Sequence, residues 1–111
     1  MANWIVTEIE ISGKKEILEL IQQVINEYND KPEELENDST NNWVGNILGD
    51  LRINTKIWSA RAFWYYAHFN KHEHLIFREH SAWCRSKCAE ALKQKFPQEI
   101  SGINYKYLGW Y

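Results

Sequence analysis

The stretch Ala2-Asn3-Trp4-Ile5-Val6-Thr7-Glu8-Ile9-Glu10-Ile11-Ser12-Gly13, followed by Lys14–Tyr28, changes its hydrophobic period at residue 12. Up to that point Ile5, Thr7, Ile9 and Ile11 alternate with Trp4, Val6, Glu8 and Glu10. A period of two is what a strand with one buried face requires, so Ala2–Ile11 reads as a strand ended by Ser12-Gly13. Across Lys14–Tyr28 the apolar residues Ile17, Leu20, Ile21, Val24 and Tyr28 form one helical stripe, with Glu16, Glu19, Gln23 and Glu27 off it. Ser12 is placed to cap that helix, although Lys15 stands where a capping box would carry an acidic residue.

The rest of the chain continues in the same mixed manner. Residues 29–42 form a polar, acidic stretch with Asp30, Glu33, Glu34, Glu36, Asp38 and Pro32, which reads as a solvated loop. Trp43, Ile47 and Leu51 at four-residue spacing predict a short helix that Asn41 or Asn42 would cap. Ile57–Phe69 predicts a long strand. Trp58, Ala60, Ala62, Trp64 and Tyr66 share one of its faces, and Ile57, Arg61, Phe63 and Tyr65 the other. Asn70-Lys71 predicts a tight turn into a strand over His74–Glu79, with Leu75 and Phe77 facing the core. Ser81 would start a helix from Ala82 to Phe96, stopped by Pro97, with Cys84, Cys88, Ala91, Leu92 and Phe96 inward and Arg85, Lys87, Lys93 and Lys95 outward. Ile103–Leu108 is the last strand, with Ile103, Tyr105 and Tyr107 alternating.

The predicted order is strand, helix, short helix, strand, strand, helix, strand. That is the ferredoxin-like split βαβ plan: an α+β single domain over residues 1–111 with a four-stranded antiparallel sheet. Both main helices would cover one face, and the short extra helix would precede the second strand.

Composition agrees with one small domain. The chain has 111 residues, 44% of them hydrophobic, with 6 Trp. No apolar run approaches the roughly 20 residues that span a bilayer. Glu8 and Glu10 interrupt the only apolar start, against a signal peptide. Two cysteines make no disulfide framework, which points to a reducing, cytoplasmic setting. Net charge is −2, yet residues 1–50 carry 11 Asp/Glu against 3 Lys/Arg and residues 51–111 carry 4 against 10. An acidic first helix beside a basic last helix would neutralise much of that asymmetry.

Several short motifs resemble those of a known family. Met1-Ala2-Asn3-Trp4 with Ile9, Ile11 and Gly13, then Asn42-Trp43-Val44-Gly45-Asn46-Ile47-Leu48, His80-Ser81-Ala82-Trp83 and Phe96-Pro97 look like the YubB-like ferredoxin-like domains of phages, plasmids and related mobile elements. The resemblance covers nearly the whole chain and implies the ferredoxin-like fold and a mobile-element origin. It implies no enzymatic activity and no catalytic residues. Ile5 and Thr7 stand where the family often has Cys and Asn. Tyr107-Leu108-Gly109-Trp110-Tyr111 stands where an acidic extension is usual, so whatever that extension does is not expected here.

The chemistry-bearing residues are few. His80, Cys84 and Cys88, four apart, would stack on a continuous helix, but the two thiols fall on its apolar stripe and read as core. His68, His72 and His74 flank the predicted hairpin. Cys84 near His80 makes a nucleophile pair without an orienting third group. There is no GxSxG, P-loop or GxGxxG. The sequence therefore predicts no enzyme, no cofactor and no bound metal.

The aromatic residues carry more information. Trp110 and Tyr111 exceed what a core this small needs, and exposed Trp and Tyr dominate protein interfaces. With the acidic residues Glu33, Glu34, Glu36 and Asp38 they predict a non-catalytic protein-binding module, an inhibitor or adaptor acting on a host or defence protein. An open sheet face would be closed by that partner or by a second copy in a homodimer. A second reading takes single-stranded nucleic acid stacked on Trp64 and Tyr66, with Arg61, Arg78 and Lys106 on phosphates.

Overall fold

In the computed structural model, which describes residues 3–30, 42–54, 61–83 and 86–111, the opening alternation becomes β1 (Trp4–Gly13). It is followed by α1 (Lys15–Asp30), α2 (Val44–Asp50), β2 (Ala62–Phe69), β3 (Leu75–Ala82), α3 (Cys88–Lys95) and β4 (Ile100–Trp110). The protein is α+β. Its four strands form one antiparallel sheet in the order β2-β3-β1-β4, which leaves β2 and β4 as the edges.

Pairing of the two central strands assigns the faces. Ile11 lies opposite Leu75, Ile9 opposite Phe77 and Thr7 opposite Glu79, and all six are buried. Leu18, Ile21 and Ile25 of α1, Val44, Ile47 and Leu48 of α2, and Cys88, Ala91 and Leu92 of α3 pack on that same face. Strand alternation sends Trp4, Val6, Glu8 and Glu10 of β1, with Ile76, Arg78 and His80 of β3, to the opposite face. No helix covers it among the described residues.

The turn from β1 into α1 depends on a close approach. Lys14 N donates to Glu99 O at 2.7 Å, and a Cβ on Gly13 would lie 2.2 Å from that oxygen, so only glycine lets the two segments meet.

Buried Glu79 joins the sheet to the segment before α3. Trp64 Nε1 donates to Glu79 Oε1 at 3.0 Å and Ser86 Oγ donates to the same oxygen at 2.5 Å. Trp64 also tilts against Phe77, with ring centroids 4.9 Å apart. A buried indole needs such a partner for its N–H.

Several local expectations are corrected. The buried stripe of α1 is rotated toward Leu18 and Ile25, leaving Leu20 exposed, because Gln22, Asn26 and Asn29 must reach β2. Ser81 does not cap a helix: it is buried in β3, opposite Ile5 and Ala62. β3 runs on to Ala82 because β1 offers pairing as far as Trp4, and the chain then turns through Trp83 at φ 72°. Among the described residues of this segment, helix begins at Cys88. Asn42 does not cap α2 either, since no side-chain cap bond forms there and its amide serves β2 instead. Asn41 and the strand predicted over residues 57–60 lie outside the described residues. β4 extends beyond Ile103–Leu108 at both ends, following β1. The turn between β2 and β3 is wider than Asn70-Lys71, closing from Asn70 N to His74 O at 3.0 Å with Glu73 at φ 61°.

Candidate functional site

The two edges of the sheet are finished differently. On β2, Trp64 N donates to Asn42 O at 3.1 Å, and Trp64 O accepts from the side-chain amides of Asn42 at 3.1 Å and Asn29 at 3.0 Å. Three residues along, past the bulge, Ala67 N donates to Asn26 Oδ1 at 2.8 Å, while Ala67 O accepts from Asn26 Nδ2 at 3.1 Å and Gln22 Nε2 at 3.3 Å. A carboxamide carries the same donor and acceptor as a peptide group. Asn26 and Asn42 thus stand in for a neighbouring strand, and β2 has no vacant rung at Trp64 or Ala67.

Among the described residues, β4 has no such cover. From Lys106 to Trp110, no hydrogen bond from outside β1 reaches its main chain among the described residues. In an antiparallel edge strand alternate residues aim N–H and C=O away from the sheet, which is the template on which another strand can add. A bulge opposite Val6/Thr7 turns Leu108 out of register. Tyr107 is 61% exposed and Trp110 68%, with Tyr111 also exposed beyond the strand. This is the most apolar exposed run of the described chain, and it coincides with the open edge.

Lysines rim that edge. Lys106 belongs to β4 and is exposed. Lys93, on α3, donates through Nζ to Ile100 O. Lys87 shares with Ser86, Glu90 and Tyr105 a cleft of about 290 Å³, where Tyr105 Oη donates to Glu90 Oε1 at 2.7 Å. Glu8 is opposite both Arg78 and Lys106, one carboxylate between two cations.

The uncovered face carries a second aromatic group. Tyr65 tilts against His80 with ring centroids 4.4 Å apart, and His80 meets Tyr111 edge-on at 5.7 Å, its Nδ1 2.8 Å from Tyr111 Oη. Burial, reinforced by the Arg78 charge, holds the His80 imidazole below its ordinary pKa. Trp4 packs on Phe63 at 5.6 Å, and the Arg61 guanidinium lies 5.5 Å from the Trp4 ring centre.

The predicted site residues divide accordingly. Lys106 and Trp110 both belong to β4 but face opposite sides of the sheet, and Tyr111, Arg61 and Arg78 lie with the second aromatic group. Trp64 is fully buried and cannot stack on a base. Tyr66 falls in the β2 bulge, out of phase with Trp64, and its hydroxyl donates to Asp30 Oδ1 at 2.9 Å. Glu33, Glu34, Glu36 and Asp38 lie outside the described residues, as does Cys84.

His80 and Cys88 are separated by the sheet. His80 faces the uncovered side, whereas Cys88 is in the core, where burial pushes its thiol up to about 11. No thiolate nucleophile forms there at neutral pH. His74 Nδ1 is 2.8 Å from Glu10 Oε2, with the His72 ring 6.0 Å from that of His74. No cluster of three or more His, Cys, Asp or Glu is arranged to hold a metal among the described residues. None of their helices is long and apolar enough to cross a membrane.

Sequence reasoning missed Tyr65, His80 and Phe63 as a surface group, and it missed the amide clamp on β2. The clamp had a visible signal, because Gln22, Asn26 and Asn29 recur at helical spacing on one side of α1. No family model matches the chain, and neither a curated protein nor a solved structure matches it.

Proposed function

We propose that this protein is a non-catalytic protein-binding module, an adaptor or inhibitor, which engages its partner along β4. The observation that carries the reading is the exposure of Tyr107, Leu108, Trp110 and Tyr111 in a continuous run on an edge strand. Large aromatic side chains held rigid on a strand lose little entropy on binding and supply most of the energy of many interfaces. The test is affinity capture from nuclease-treated host lysate by the protein and by its Tyr107→Ala/Trp110→Ala variant, with circular dichroism to establish that both are folded. A partner held by the first and lost by the second is expected. Equal capture by both would end the reading.

The ferredoxin-like plan and the relationship to YubB-like domains of mobile elements belong to the same proposal. The sequence of elements and the placement of α1 and α3 in one core support the plan. The motifs around Trp4, Trp43 and His80 support the relationship.

One observation favours single-stranded nucleic acid as a second reading: Tyr65, His80 and Tyr111 form an aromatic cluster on the uncovered face beside Arg78. Labelled oligonucleotides followed by fluorescence anisotropy at about 50 mM salt, where phosphate contacts are strongest, decide it. Absence of binding there removes it.

A further inference from the structure

The closed β2 edge and the open β4 edge together specify how a partner attaches. We infer that β4 accepts an extended, acidic segment of a partner protein as a fifth strand, giving the order β2-β3-β1-β4-partner. This rests on the protein-binding reading and adds to it the mode of attachment and the chemistry of the partner.

Three observations carry it. Natural sheets protect their edges, and this one closes β2 with Asn26, Asn29, Asn42 and Gln22 while, among the described residues, nothing outside β1 bonds to the main chain of β4 from Lys106 to Trp110. The protection is therefore selective. The start of β4 is engaged, with Ile100 N donating to Phe96 O and Ile100 O accepting from Lys93, so the stretch from Lys106 to Trp110 is the one that a partner strand would use for main-chain hydrogen bonds.

The charge of the rim then selects the occupant. Lys106 on β4, Lys93 on the helix packed against it and Lys87 just before that helix stand against Glu90 and Glu99. Glu90 is already engaged by Tyr105. A second copy pairing β4 to β4 would bring two such lysine sets together, at a cost in like-charge repulsion. An acidic strand meets none. Side chains of that strand on the helix side would pack on Tyr107 and Trp110 and reach the cleft of Ser86 and Lys87, while an Asp or Glu on the opposite side would meet Lys106.

The probe is a displayed library of random decapeptides, selected on the immobilised protein. Enrichment of sequences that alternate apolar residues with Asp or Glu is expected. The best of them, made synthetically, should slow hydrogen exchange in β4 and leave β2 unchanged. N-methylation of alternate residues in that peptide should weaken it about thirtyfold, since those amides no longer donate. Lys87→Glu with Lys106→Glu should weaken it about tenfold, because both residues are exposed rim charges. Enrichment of basic peptides, no enrichment, exchange protection on β2 or on the uncovered face, or indifference to N-methylation would each overturn strand addition. So would a concentration-dependent dimer in sedimentation that protects β4 by itself. Strand addition can fail alone: the Tyr107→Ala/Trp110→Ala variant would then still lose its captured partner. If that variant keeps every partner, the protein-binding reading falls as well.

Discussion

β2 and β4 occupy equivalent positions at the two ends of one sheet, yet they meet their surroundings in opposite ways. At β2 the donors and acceptors that would face water are taken by Asn26, Asn29, Asn42 and Gln22. At β4, from Lys106 to Trp110, no described residue outside β1 takes them. The same contrast holds for side chains. Trp64 and Ala67 of β2 are buried, while Tyr107 and Trp110 of β4 are mostly in solvent. An edge is an energetic problem only while its main chain lacks partners, and helix α1 resolves that problem for one edge alone.

The strongest way to break the contrast is Asn26→Ala. Ala67 is buried, so the substitution strips both its N–H and its C=O of Asn26 and leaves Gln22 as the remaining partner. A loss of about 2–4 kcal/mol in urea unfolding is expected, as for orphaned main-chain groups. Asn42→Ala should cost less, about 1–2 kcal/mol, because Asn29 still donates to Trp64 O and the main-chain bond from Trp64 N remains. On the other edge, Tyr107→Ala with Trp110→Ala should change stability by about 0.5 kcal/mol or less, since little buried surface is lost. A large loss there would show that β4 is part of the core, and the contrast would disappear.

The smallest effect concerns pH. Burial and Arg78 hold the folded His80 pKa below the ordinary 6.5. A depressed base pKa means that the unfolded chain binds the proton more readily. The contribution of His80 is therefore present above the unfolded pKa and is lost as pH falls through 6.5 toward the folded value. In acid titration of unfolding, His80→Gln should flatten the decline between about pH 7 and pH 5. An unchanged decline would mean that the imidazole is equally easy to protonate in both states.

What the sequence disclosed follows from the same physics. β1 was legible because one buried face forces Ile9 and Ile11 into a period of two, and β3 likewise through Leu75 and Phe77. The start of α3 was not. Cys84, Cys88 and Leu92 recur every four residues, so the helical pattern reaches back past the true start at Cys88. Pairing with Trp4 and Ile5 on one side and with Ala62 and Arg61 O on the other holds Ser81 and Ala82 in the sheet, and a partner strand is invisible to local spacing. Trp64 and Tyr66 looked equivalent by alternation. The bulge in β2 sends them to different surroundings, one under the helices and one to Asp30. Trp110 was legible as surplus to the core. The role of β4 as an open edge was not, because it depends on the sheet order and on three amides of another element.

Trp4 and Tyr111 exchange two main-chain hydrogen bonds, both 2.8 Å, at one end of the β1–β4 ladder. Tension drawn through those two residues meets the rungs one after another, as in a zip, and never loads them all in shear. The sheet is therefore mechanically soft in that direction. A strand bound along β4 would leave that weakness in place, because it adds its own rungs on the far side of the seam that opens. Pulled from Trp4 and Tyr111, the complex would part first between β1 and β4, carrying β4 and its guest away together.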